Sequence, residues 1–352
     1  MVTLRSENLQ STFPLAHFDS AVFLQLKDMN VAFNTSNLAK LTALAIDNSR
    51  SSLPNVVNLI SVLRMAPALK SLTLTGRWIP RTAEEQNNLR NTQVFQAQQL
   101  KDVHLRTEAA FVREFFSVVS VSASSQIHLH VWAAAGQEGT GTGLNLGDAL
   151  PDKDRIHHIG CIKSAKILTV TLEGDDEPCL LYFDEVTRGA LCIYPTLARI
   201  PDAFHWQDVV DQCVDAMEQL ALSTVSERIT TLSLRDDPFG HLAALDLYSL
   251  FHSLPNLRIL LVKARRIDTV LDALRALEMD SKDQFGVLCQ KLAAIRLEDL
   301  VVDENVVNQI VACFETRMDV SECDLQALHM GGSDVDAELL EMLESICQRV
   351  RV

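Results

Sequence analysis

The sequence predicts an α/β solenoid, with a curved parallel sheet on its concave side and helices on its convex side, running through residues 1–352 as a single array. Three observations predict it. A short strand pattern, Leu-x-x-Leu-x-Leu, recurs along the chain, and segments with helical apolar period lie between its copies. At 352 residues the chain is also longer than one ordinary core supports, which favours stacked units over a single globule.

Within each copy the second and third apolar residues are two apart, the period of a strand with one face buried. A first strand is expected within 23–31. The clear copies are Leu41, Leu44 and Ile46; Leu69, Leu72 and Leu74; and Leu100, Val103 and Leu105. Ile127, Leu129 and Val131 keep the alternation without a leading Leu. Ile167, Val170 and Leu172 form a weaker copy, and another is expected near Leu191. The pattern returns at Ile229, Leu232 and Leu234; Leu257, Leu260 and Val262; and Leu292, Ile295 and Leu297, with a weaker copy at Leu325, Leu328 and Met330. Copies stand roughly 28 to 35 residues apart, enough for one strand and one helix per unit.

Helices are expected where apolar residues fall three and four apart. These are Val56, Leu59, Ile60 and Leu63; Phe111, Phe115 and Val118; Val209, Val210, Cys213 and Met217; Leu245, Leu247, Leu250 and Phe251; Val270, Leu271 and Leu274; and Val306, Val307, Ile310 and Phe314. Pro54 precedes the first helix, and Pro67 and Pro255 precede the strands at Leu69 and Leu257, positions where proline costs no ladder bond. Two stretches interrupt the array: a Gly/Thr-rich surface loop insertion at 136–150 and an irregular, turn-rich region at 174–207.

Composition restricts function. A net charge of −15 repels phosphate backbones and argues against a nucleic-acid partner. The densest apolar run, Phe115 to Val121, is far too short to span a bilayer, so no membrane association is expected. Eight cysteines never form CxxC and lie mostly in apolar periodic stretches, which points to reduced thiols in a cytoplasmic or nuclear protein.

No constellation of catalytic residues stands out. The glycine-rich run at 139–143 lacks the Lys-Ser/Thr of a phosphate loop, and there is no GxSxG elbow. His128 and His130, then His157, His158 and Cys161, raise the idea of zinc, but their spacings fit no familiar finger or ribbon. The chain is therefore expected to be no enzyme and to need no cofactor or metal. A metal-dependent enzyme using the 136–207 region is the alternative from another class.

Strand alternation supplies a different kind of site. If Leu72 and Leu74 face the core, Ser71, Thr73 and Thr75 face outward, and the same rule exposes one strip of side chains on every strand. Arginine and Trp on such a strip offer broad contact area together with hydrogen-bonding groups. The candidate partner-binding residues on the concave face are His104, Arg106, His130, Trp132, Arg235, Lys263 and Arg296.

Residues 32–76, AFNTSNLAKLTALAIDNSRSSLPNVVNLISVLRMAPALKSLTLTG, resemble the leucine-rich-repeat region of F-box proteins of mushroom-forming fungi. Residues 250–264, LFHSLPNLRILLVKA, repeat the same grammar of helix end, proline and strand. The resemblance implies a leucine-rich-repeat solenoid that selects a substrate for a cullin ubiquitin ligase, whose adaptor is bound by an F-box. The opening residues, MVTLRSENLQSTFPLAHFDSAVF, hold no recognisable F-box. Ligase components are thus expected as partners if an F-box is supplied elsewhere; otherwise the chain reads as an F-box-less scaffold or binding protein.

Overall fold

A computed structural model describes residues 2–5, 12–14, 21–28, 30–32, 38–77, 93–132, 149–173, 177–183, 188–195, 226–235, 244–279, 285–320, 324–331 and 335–352. The fold is α/β, with parallel strands in open sheets and helices in the connections. The chain divides into two compact units, Met1–Ser164 with Tyr182–Ala198 and Ala165–Leu181 with Arg199–Val352.

In the first unit the strands Val2–Arg5, Phe23–Lys27, Ala43–Ser52, Ser71–Arg77, Asp102–Glu108, Gln126–Trp132 and Ala190–Pro195 lie side by side in that order, all parallel. Their pairing aligns Leu24, Leu44, Leu72, Val103, Ile127 and Leu191 in one row, and Leu26, Ile46, Leu74, Leu105, Leu129 and Ile193 in the next. Every residue of both rows is at most 1% exposed. A one-residue slip would carry a whole strand's apolar set to the other face, so these rows fix the register.

The leading leucines have their own geometry. The N–H groups of Leu41, Leu69 and Leu100 donate to the carbonyls of Leu38, Ala66 and Ala97, three residues back, so each Leu closes a tight turn and enters the core. One residue later the carbonyl of Thr42 accepts from the N–H groups of both Lys70 and Ser71, and that of Lys70 accepts from Lys101 and Asp102. This doubled contact starts the strands at Ser71 and Asp102 at the same height as their neighbours.

Helix Val56–Met65 is capped by Asn55, whose side chain accepts from the N–H of Asn58 at 2.8 Å, and it buries Val56, Leu59, Ile60, Val62 and Leu63. Helix Ala109–Val118 buries Phe111, Val112, Phe115, Phe116 and Val118. Both match the apolar periods read from the sequence.

In the second unit the parallel order is Ile167–Glu173, Thr231–Arg235, Ile259–Lys263, Ala294–Glu298, Ala327–Gly331 and Val350–Arg351. Leu168, Leu232, Leu260, Ile295 and Leu328 form the buried row. Helices Ala244–His252, Asp268–Arg275 and Glu304–Val320 fall where periodicity expects them. A further helix, Ala337–Ile346, capped by Asp336 and burying Leu343 and Ile346, was not anticipated.

Several expectations change. The copy read as Ile167, Val170 and Leu172 is displaced by two residues: Leu168 pairs with Leu232, so the leading position is Ala165, fully buried. Ala21 holds the same position ahead of Leu24 and Leu26. A Leu template overlooks both, because a buried alanine stands where the pattern expects leucine. The strand beside Gln126–Trp132 is Ala190–Pro195, not the next strand in sequence. The copy expected near Leu191 is the strand Ala190–Pro195, and a second strand, Glu177–Phe183, also lies within the stretch expected to be irregular. At the end of the expected surface loop, Ala149 and Leu150 are buried. Residues 136–148, the run at 139–143 and the helix expected at 209–217 lie outside the described residues.

Candidate partner-binding face

Because Val103 and Leu105 point into the core, Asp102, His104 and Arg106 stand on the other side of their strand, and register brings their neighbours alongside. His104 lies between Thr73 and His128; Arg106 lies between Thr75 and His130. The imidazoles of His104 and His128 stack at 4.5 Å between centroids and 2° between planes. Arg106 is exposed. Two strands away Asp47 pairs, at 3.3 Å, with Lys27 of the strand beyond, a contact the sequence reading did not single out. Trp132 pairs with Glu108 along the backbone, while its side chain lies outside the described residues.

The His104 pKa is lowered from its ordinary 6.5, chiefly by burial of the ring and next by the neighbouring His128, against a smaller upward pull from Asp102. His158 is lowered in the same direction, again mainly by burial. The folded chain thus disfavours protonating both rings, and on acidification the unfolded chain takes up protons first. Their contribution to stability is complete above about 6.5 and is lost as pH falls from there toward the lowered values. The melting temperature should drop between about pH 7.5 and pH 5.5, and His104→Gln should flatten part of that drop. An identical slope in the variant would mean that the stack does not carry the effect.

In the second unit alternation exposes Arg235 and Lys263, which are partners in register, and Arg296, which lies beside Leu261. Lys263 meets Asp299 at 3.5 Å and Arg296 meets Glu298 at 2.7 Å. The Nε–H of Arg235 donates to the Ser233 hydroxyl at 3.3 Å. His329 sits next to Arg296 in register, and its Nδ1 is covered with no hydrogen-bond partner among the described residues. The weak copy ending at Met330 was the signal that could have drawn attention to it.

The seven candidates therefore fall into two groups. His104, Arg106, His130 and Trp132 belong to one unit; Arg235, Lys263 and Arg296 belong to the other.

The histidines weighed for metal chemistry are engaged differently. His158 is buried with its Nδ1 2.9 Å from the Phe116 carbonyl oxygen, and His157 packs edge-on against it. The Cys161 thiol is pushed up to about 12 by burial, so it stays protonated at neutral pH. Among the described residues no group of three or more His, Cys, Asp or Glu side chains is placed to hold a metal ion. A small void among Leu260, Leu271, Ile295 and Phe314 is lined entirely by apolar residues and offers a polar substrate no partner. No helix among the described residues is long and apolar enough to cross a membrane. Compared with known proteins, the chain matches no family model and no curated protein.

Proposed function

We propose that this chain is a non-enzymatic protein-interaction module, a leucine-rich-repeat-like solenoid that offers the strand face opposite its helices to a protein partner. One observation carries the reading. Successive parallel strands keep their apolar rows in register and so line up, on the other side, His104, Arg106 and His130 in one unit and Arg235, Lys263 and Arg296 in the other. Side chains held this way by a ladder of backbone bonds form a rigid surface, which lowers the entropic cost of binding. The resemblance to the repeats of fungal F-box proteins makes a ubiquitin-ligase substrate the leading kind of partner, in cytoplasm or nucleus.

Affinity purification from a fungal extract, read by mass spectrometry, tests this. A partner recovered with the native chain should fall about tenfold or more when His104, Arg106 and His130, or Arg235, Lys263 and Arg296, are changed to Ala. Changing the exposed helix residues Glu341 and Glu344 should leave it unaffected. Partners indifferent to both face variants would remove the strand face from the reading. Cullin-adaptor subunits among the face-dependent partners would support the ligase role.

A further inference from the structure

Resting on that reading, we propose that the sheet face of the second unit takes an acidic peptide segment carrying apolar side chains. Ile259, 40% exposed, and Leu261, half-buried, lie on the same side of an internal strand. Their strand is hydrogen-bonded on both edges, by Thr231–Arg235 and Ala294–Glu298, so a ligand there meets side chains and not a free backbone edge. Together these two side chains offer a ligand apolar area that it can remove from water.

Cations surround this apolar strip. Arg235 and Lys263 stand side by side at one end, and Arg296 stands beside Leu261. Among the described residues Arg235 pairs with no carboxylate; its Nε–H reaches only the Ser233 hydroxyl. Lys263 and Arg296 are held by Asp299 and Glu298 in ion pairs whose partners are all more than a third exposed. Exposed pairs of this kind open readily, freeing both cations for a ligand carboxylate that Arg can grip through two parallel hydrogen bonds.

This cationic patch belongs to a chain of net charge −15. The apolar strip selects the ligand. A polyphosphate has nothing to place on Ile259 and Leu261, whereas a peptide alternating carboxylates with aliphatic side chains satisfies both the cations and the strip.

The test is fluorescence anisotropy of the full chain with a labelled peptide in which Asp and Glu alternate with Leu. Comparison ligands are the same peptide with Asn and Gln for its acids, the same peptide with Ser for its Leu, and an oligodeoxythymidylate. The acidic, Leu-bearing peptide should bind at least about tenfold more tightly than each of the others and weaken as salt rises. Arg235→Glu with Arg296→Glu should reduce its affinity about tenfold or more, and Ile259→Asp should do likewise. Arg64→Glu, on the exposed side of helix Val56–Met65 and outside the strand face, should change nothing. The milder pair Arg235→Gln with Arg296→Gln, checked by circular dichroism, separates lost binding from lost folding. Equal affinity for the amide peptide, full binding by both Arg pairs, or tighter binding of the oligonucleotide would overturn the inference. If a cellular partner depends on His104, Arg106 and His130 while the acidic peptide does not bind, this inference fails and the wider reading stands.

Discussion

Replacing Arg317 by Met is expected to destabilise the second unit by about 3 to 5 kcal/mol. Arg317 is the largest side chain buried in the described residues, 1% exposed, on helix Glu304–Val320. Its guanidinium donates to the carbonyls of Leu274 at 2.8 Å, Leu288 at 2.9 Å and Cys289 at 3.1 Å. Leu274 lies in the last turn of helix Asp268–Arg275, where carbonyls have no partner within their own helix. Cys289 holds a left-handed backbone, with φ of 50°, which turns its carbonyl toward the same cation. One fork thus ties a helix end and a turn to the next helix. Methionine fills much of the volume but donates nothing, so the carbonyls of Leu274 and Leu288 lose this donor and that of Cys289 is left with the N–H of Leu292. Lysine should recover only part of the loss, because a single ammonium cannot reproduce the planar fork. Denaturant unfolding followed by circular dichroism gives the magnitude, and hydrogen exchange over 268–289 locates it. A loss below about 1 kcal/mol would mean that water or relaxation replaces these bonds.

Arg317 also marks a limit of pattern reading. Val307, Ile310, Phe314 and Arg317 are spaced three and four apart on one helix face, so the sequence did carry a signal: a charged residue on an apolar stripe. What it could not give was the partner. Backbone carbonyls have no sequence identity, and only the folded turn at Leu288 and Cys289 brings them together. The strands were legible wherever a leading Leu and a two-residue alternation coincided, as at Leu69, Leu72 and Leu74. They became hard to read where Ala165 or Ala21 stood at the leading position. Helix Ala337–Ile346 was legible too, with Leu339, Leu340, Leu343 and Ile346 at helical spacing behind the capping Asp336, and was overlooked. The outward positions at His104, Arg106, Arg235 and Arg296 followed from alternation alone. The ring stack of His104 on His128 did not, because it depends on which strand lies beside which and at what height.

Neighbour order is where sequence reasoning was weakest, and Gly189 offers a direct test of it. The strand Ala190–Pro195 reaches its place beside Gln126–Trp132 by passing close to the turn at Ala123. A Cβ on Gly189 would lie 1.8 Å from the Ala123 carbonyl oxygen, 2.8 Å from the carbonyl carbon and 3.0 Å from the Cβ of Cys161. No real Cβ tolerates the first of these distances, and the obstacle is backbone, which cannot rotate away as a side chain could. It is also fixed in place, since the N–H of Ala190 donates to the carbonyl of Ser125 and the N–H of Ser125 donates to that of Ser122. Moving the strand to relieve the clash would pull Leu191 and Ile193 out of their rows with Ile127 and Leu129. Gly189→Ala is therefore expected to cost about 3 kcal/mol, the upper end of what overpacking exacts, although it adds a single methyl group. Urea unfolding measures the cost, with Gly286→Ala as a control, because the nearest atom there is the mobile amide end of Gln290 at 3.2 Å. If the two substitutions prove equally mild, the close approach at Ala123 is not present in solution, and with it would go the assignment of Ala190–Pro195 as the neighbour of the strand that carries His128 and His130.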